Sequence, residues 1–300
     1  MKELVIISGK GGTGKTSITA AFASLAESSL LCDTDVDAAD LHLLLRPEVL
    51  QKHDFIGGSK AEIDPDRCTE CGICVDRCQF NAIGDNFIVD LIECEGCGVC
   101  RAFCPADAIN FAPRRCGAWF ISDTRFGPMV HAHLGIGEEN SGKLVSVIRK
   151  AARELAEAKG HQLIITDGPP GIGCPVIAAI TGATAVLIVV EPTLSGLHDM
   201  KRVADLAAHF KIPAMVCINK YDLNREMSEV IEAETEKRNL LKVGQIPFDA
   251  AFTKAMVDAQ TVFEYGPGSQ LSQIVESVWH TVMSTEVFTK EELHVIPTIK

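Results

Sequence analysis

The stretch "GKGGTGKT", residues 9–16, fits the pattern G-x-x-x-x-G-K-[ST] and follows the apolar run "LVIIS", residues 4–8, which is expected to be a strand leading into a helix. Glycines at this spacing let successive backbone N–H groups converge on phosphate oxygens at a helix N-terminus. Gly11, Gly12, Thr13 and Gly14 are therefore candidates to cradle a nucleoside triphosphate, with Ser17 just inside the helix. Lys15 is placed to reach the β and γ phosphates, and Thr16 to give its hydroxyl to Mg2+. A merely glycine-rich turn is the bland alternative, and the order strand, loop, helix weighs against it. Carboxylates at the ends of later apolar runs can complete such a site. In "LCDTDVDAADLHLLL" (31–45), Asp33, Asp35 and Asp37 follow a second expected strand, and in "LIITDGPPGIG" (163–173) Asp167 ends another. Such groups can hold the water shell of magnesium and orient an attacking water. Gly168 or Gly171 could sense the γ phosphate through a backbone N–H. For Asp37 an acidic helix start is reading enough.

A second chemistry sits in "CTECGICVDRC" (68–78) and "CEGCGVCRAFCP" (94–105), both of the form C-x2-C-x2-C-x3-C. This is the bacterial ferredoxin run, in which the fourth cysteine of each set ligates the cluster of the other. Cys68, Cys71, Cys74 and Cys104 are thus expected to hold one [4Fe-4S] cluster, and Cys78, Cys94, Cys97 and Cys100 the other. Thiolates are soft ligands suited to iron and sulfide. A pair of four-cysteine zinc sites is the competing reading, and the spacing is compressed for paired C-x2-C knuckles. Gln79 stands where proline would follow the first set. Of the four remaining cysteines, Cys32 and Cys217 lie in apolar runs and are expected to act as small hydrophobes, with Cys116 and Cys174 inert by default and a cluster bridging two subunits through Cys174 as the alternative. His131 and His133 belong to no ligand motif and are expected at the surface or in a loop.

The remainder of the chain must position these groups. Its 300 residues are 47% hydrophobic with a formal charge of -12, enough for a folded core and unsuited to broad contact with nucleic acid or anionic lipid. The longest apolar runs, such as "ATAVLIVV" (183–190), fall short of a membrane span, and the N-terminus lacks a secretory signal, so a cytoplasmic location is expected. Short runs rich in Val and Ile (4–8, 29–33, 162–167, 185–190, 214–219, 242–247) alternate with helical patterns at 141–160, 197–210 and 225–239. That alternation predicts an α/β fold, a mainly parallel sheet with helices on both faces. The cysteine-dense part interrupts it, giving a discontinuous nucleotide-binding domain, 1–60 and 117–300, around an inserted ferredoxin-like α+β domain, 61–116. Residues 117–140 suggest a hairpin at the sheet edge.

With Lys10 included, "KGGTGKT" resembles the deviant Walker A motif of the MinD/ParA/Mrp superfamily, and the whole chain resembles its members that contain an inserted ferredoxin domain. The resemblance implies an ATPase, slow and partner-stimulated, that forms an ATP-dependent homodimer in which Lys10 reaches the nucleotide of the partner subunit. It also puts Asp33 on the magnesium-facing position and Asp35 on the water-positioning switch I carboxylate, and leaves Asp40 without a role. In "INKYD" (218–222) the resemblance gives Asn219 to adenine, and "QIPFD" (245–249), with Pro247, to a loop over the ring, whereas Asp222 keeps GTP open. The implied cofactors are ATP, Mg2+ and two [4Fe-4S] clusters. The expected task is coupling of nucleotide-driven dimerisation to electron transfer with a redox partner. Cluster assembly on an apo-iron-sulfur client and MinD/ParA-type positioning are the alternatives, with no direct nucleic-acid contact expected.

Overall fold

The computed structural model describes residues 1–135 and 141–290. Its strands are β1 (Lys2–Ser8), β2 (Ser29–Asp33), β3 (Glu48–Ser59), β4 (Glu62–Ile63), β5 (Ile109–Asn110), β6 (Pro113–Thr124), β7 (Gly127–Leu134), β8 (Leu163–Pro170), β9 (Ala185–Val190), β10 (Ala214–Asn219) and β11 (Leu241–Ile246). Nine of these form one sheet in the order β11-β10-β9-β1-β8-β2-β7-β6-β3. From β11 to β7 neighbours run parallel, and β7–β6 and β6–β3 are antiparallel. The helices that matter for the site are α1 (Lys15–Leu25), α2 (Leu41–Leu45), α3 (Ile73–Arg77), α4 (Val99–Ala102), α5 (Ser141–Lys159), α6 (Cys174–Ile180), α7 (Leu194–His209) and α8 (Arg225–Lys237).

The parallel strands read as unbroken apolar runs because both faces of the sheet are covered. In β1, Val5 and Ile7 join a core with residues of α5, α6 and α7, while Leu4 and Ile6 join a second core with α1 and the helix Gln270–Met283. Phe22 of α1 and Trp279 of that last helix meet with ring centroids 5.0 Å apart. Burying aromatic pairs of this size on a sheet face fixes α1, and with it the loop before α1, against the strand ends.

Two expectations are corrected. The hairpin of the 117–140 segment exists as β6 and β7, but it lies one strand inside the edge, because β3 pairs along β6 from Glu48↔Asp123 to Ser59↔Pro113. Residues 136–140 of that segment lie outside the described residues. Strand β3 itself, "EVLQKHDFIGGS", is mostly exposed and carries no clean alternation, which is why an apolar-run criterion passes over it. His131 is the second correction. It is buried in β7, 8% exposed, and meets the Ser122 hydroxyl at 2.9 Å. Burial, with His42 and His133 nearby, pushes its pKa down to about 4, so its ring is neutral at physiological pH.

Between β3 and β6 the chain leaves the sheet and carries all eight patterned cysteines, with β4 pairing β5 and the short helices α3 and α4. Pro113–Cys116, included in the expected insert, are already strand residues of the main sheet.

Candidate functional site

The phosphate-binding loop lies between β1 and α1, at the carboxyl end of the central strand, where ligands sit in open α/β sheets. Its shape is held from below. The Ser8 hydroxyl donates to Lys10 O at 2.7 Å, and the Asn219 side-chain amide donates to Thr13 O at 2.7 Å. Gly14 adopts φ 92°, and a Cβ there would come within 2.5 Å of Asn219 Nδ2, so glycine is demanded by both backbone and neighbour. Lys220 Nζ donates to Gly12 O at 3.0 Å, adding a second brace from the end of β10.

Five acidic and hydroxyl groups meet above this loop. Lys15, 5% exposed, stands 3.8 Å from Asp35. Thr16 Oγ1 donates to Asp167 Oδ2 at 2.7 Å, and Thr19 Oγ1 to Asp167 Oδ1 at 3.1 Å. Asp33 and Asp167 are direct register partners on β2 and β8, and Asp33 Oδ1 accepts from Asp35 N at 3.1 Å. Burial drives the pKa of Asp33 well above the usual carboxylate range, with the charge of Asp167 adding to it. Asp167 is raised for the same first reason, against the opposing pull of Lys15 and Thr16. Asp35 is pushed up to about 6 by burial, and Lys15 resists that rise. Asp33 Oδ2 is a buried oxygen with no hydrogen-bond partner. Two desolvated carboxylates, one with an orphaned oxygen, beside a threonine hydroxyl suit a hard divalent cation that also binds phosphate. Thr16, Asp33 and Asp167 can hold Mg2+ in this way. Among the described residues no three His, Cys, Asp or Glu side chains form an ion site by themselves. That accords with magnesium, which keeps waters and leans on substrate phosphates.

Asp35 supplies a pH test. Above its pKa of about 6 it is a carboxylate and can accept a hydrogen bond from an attacking water; below that it is neutral. Turnover of MgATP is expected to fall as pH drops through about 6. Asp35→Asn should lower turnover by about 10²-fold or more and remove the acid limb. Because the folded-state pKa is raised, the folded chain binds more protons than the unfolded chain between the two values, so Asp35 makes stability fall as pH rises through that window. Asp35→Asn should therefore melt higher than the parent at pH 8, measured without nucleotide. Unchanged acid dependence in the variant would remove Asp35 from the water-positioning role.

Lys10 is separate from this inner group. Its side chain is 38% exposed and pairs with Glu191 at 3.3 Å, and Glu191 also binds Lys220. Gly171, one of the two glycines expected to sense the γ phosphate, donates its N–H to Ser8 O at 2.9 Å, so in this structure that donor is used on the loop. On the base side, Asp222 accepts from Phe248 N at 2.6 Å. Its carboxylate thus holds the loop after Pro247 in place, and one of the two oxygens that would read guanine is occupied. Lys220, Glu191 and Thr19 escaped sequence reasoning. Lys220 lies inside the quoted "INKYD", whereas nothing local singles out Glu191.

The chain matches the family described as CobQ/CobB/MinD/ParA nucleotide binding domain over residues 4–262. It belongs to that family. An uncharacterized protein of Methanocaldococcus jannaschii is 36% identical over 225 residues, 74% of this chain and 79% of the relative. Among solved structures, the septum site-determining protein MinD complexed with Mg-ADP from Pyrococcus horikoshii gives a TM-score of 0.59 at 18% identity, covering 94% of this chain and 96% of that one. MinD from Aquifex aeolicus gives 0.56 at 18% identity, covering 95% of this chain and 98% of that one. At that identity the likeness is one of fold. Family membership makes this member a P-loop nucleotide-binding protein of an ATPase class, and its expected α/β fold with a mainly parallel sheet is what the structure shows.

The cysteine sets form a site of their own. Cys68, Cys71, Cys74 and Cys104 line one void together with apolar residues such as Ile63 and Phe87. Cys78, Cys94, Cys100 and Cys104 pack around a small buried group of Ala61, Cys74, Ile83 and Ile109. Backbone N–H groups of Glu70, Ala82 and Ala108 point at the sulfurs of Cys68, Cys78 and Cys104 at 3.4, 3.3 and 3.3 Å. Donors aimed at sulfur favour thiolate ligands over neutral thiols. Burial pushes the Cys74 and Cys100 thiols up, a cost that ligation to a metal would relieve. The shared void, its apolar walls and the sulfur-directed amides are surroundings a [4Fe-4S] cluster would use, although among the described residues the thiols are not gathered into a metal-binding group. Cys32, Cys116 and Cys217 are buried, and Cys174 is exposed at the start of α6.

Proposed function

We propose that this protein is an ATP-hydrolysing switch whose nucleotide-driven dimerisation acts on two [4Fe-4S] clusters held in the segment between β3 and β6, for electron transfer to a protein partner. The observation that carries the cluster half is the void lined by Cys68, Cys71, Cys74 and Cys104, three cysteines of one set with the fourth of the other. The ATPase half rests on Lys15, Thr16, Asp33, Asp35 and Asp167 gathered at the loop. Mg2+ in that site would neutralise charge on the β and γ phosphates. The chain's own groups do the rest. Loop N–H groups and Lys15 bind phosphate, Asp35 orients water, Asn219 and Lys220 keep the loop in shape, and Lys10 is left to serve the partner's nucleotide. ATP is the favoured nucleotide because Asp222 is committed to Phe248 N.

A second reading, a positioning ATPase of the MinD/ParA type, is favoured by the fold comparisons, which include septum-site and ParA family proteins. The comparisons support that alternative better than electron transfer; the cysteine repeat, for which positioning has no use, favours coupling. Delivery of clusters to an apo-protein is the third. One preparation separates them. Anaerobically purified protein should carry about eight irons per chain, retain them through repeated ATP turnover, and turn over ATP faster than GTP. Iron lost to an added apo-protein would favour the carrier, and an iron-free, colourless protein with normal hydrolysis and ATP-dependent binding to lipid vesicles or DNA would favour positioning and overturn the coupling reading.

A further inference from the structure

The two cysteine sets repeat in three dimensions as well as in sequence. Cys68 N–H and Cys94 N–H donate to Asp64 O and Asp90 O, both at 3.0 Å. Gly72 and Gly98 share left-handed backbone, φ 76° and 75°, and open α3 and α4. The repeat breaks one step earlier, where Glu70 (φ 53°) corresponds to Gly96 (φ 64°). Left-handed backbone does not by itself account for the glycine, since Glu70 adopts it too. The neighbour does. A Cβ on Gly96 would lie 2.3 Å from Ser59 O, the carbonyl that ends β3. Lys60 Nζ, the next residue along, clasps Leu91 O at the start of the same loop. The second cysteine loop is seated on the main sheet's edge strand.

That seat is joined to the nucleotide switch. Leu134 N–H, at the end of β7, donates to Val36 O at 3.3 Å, directly after Asp35. Gly135 N–H donates to Cys116 O at 2.8 Å, the Cys116 thiol donates to Gly57 O, and Gly57 lies two residues before Ser59. The steps run from the loop after β2 to the end of β7, then across β6 to β3.

We propose that Gly96 is a positioning residue, letting the second cysteine loop seat on β3 so that the nucleotide state of the Asp35 loop is felt at the second metal centre and not at the first. The inference rests on the ATPase and cluster readings above. A contiguous path is not in itself coupling, so the experiment must measure coupling. In cluster-loaded, full-length protein under anaerobic conditions, hydrogen exchange is followed in 91–100 and 68–74 with and without a non-hydrolysable ATP analogue. Exchange in 91–100 is expected to slow by about tenfold with the analogue, while 68–74 stays unchanged. Gly96→Ala should abolish the difference in 91–100 without altering analogue affinity. Gly72→Ala carries the same left-handed strain but meets nothing within 4 Å, and it should keep the response. If Gly96→Ala fails to fold, Lys60→Ala, which removes the clasp on Leu91, should shrink the response instead. Equal responses in both loops, no response in either, or a response untouched by Gly96→Ala or Lys60→Ala would overturn the proposal. Loss of analogue binding or of iron in the parent protein would sink the underlying function instead, and each is measured before exchange is read.

Discussion

Replacing Lys10 with alanine is expected to lower ATP turnover by about 10³–10⁵-fold, the loss that follows removal of a cation supplied in trans to a transferring phosphate. Binding of ATP to the single chain should survive. The distinction follows from where the two lysines stand. Lys15 is buried beside Asp35, inside the group that includes Asp167, where the proposed function has it serve this chain's own nucleotide. Lys10 is on the rim, 38% exposed, with its ammonium on Glu191. An exposed ion pair of that kind contributes about 0–1 kcal/mol, so surrendering it for a desolvated phosphate costs little. Arginine should rescue poorly, because a compact ammonium and a planar guanidinium differ in reach and geometry. Single-turnover hydrolysis and sedimentation with a non-hydrolysable analogue separate the effects: Lys10→Ala should bind nucleotide as a monomer and fail to pair. A variant that dimerises and turns over at the parent rate would mean that Lys10 is only a solvated loop lysine.

Much of this arrangement was legible in the sequence because its causes are local. Phosphate binding needs glycine, lysine and threonine in a fixed order, and "AVLIVV" and "AMVCIN" match β9 and β10 residue for residue because strands buried on both faces must be continuously apolar. What stayed hidden depends on distant partners. Strand β3 exists because β6 offers it a long antiparallel edge, not because its own residues alternate. His131 is buried because β6 lays Phe120 opposite it and brings the Ser122 hydroxyl within reach of its ring, neighbours no histidine motif announces. Glu191 matters through Lys10 and Lys220, far from it in the chain. Asn219, which the resemblance gives to adenine, also donates its amide to the Thr13 carbonyl, a role visible only once β10 is laid beside the loop.

Removal of iron should unfold the segment between β3 and β6 and leave the nucleotide-binding body standing. The buried apolar residues of that segment are few and mostly small: Ala61, Ala82, Ile83, Ala108 and Ile109, together with Cys74, itself a candidate ligand. Its strands β4 and β5 have 2 residues each, and its helices α3 and α4 have 5 and 4. Elements so short cannot offset their ordering entropy through packing, which comes to about 1–2 kcal/mol of backbone per residue. On the cluster reading, metal ligation would supply what packing does not, which in small metal-dependent domains is on the order of 10 kcal/mol. The two main cores, on either face of the sheet, share no buried residue with it. Chelation, or Cys74→Ser in the four-thiol void, is therefore expected to expose residues 64–110 to protease and to rapid hydrogen exchange, with ATP affinity close to that of the parent. Cys217→Ala, at a fully buried position in β10, should do the reverse, costing general stability while sparing the segment. If the segment keeps its protection after complete loss of iron, the eight cysteines are not its fastening, and another source of order must be sought in the contacts of Ser59 and Lys60 with the second loop.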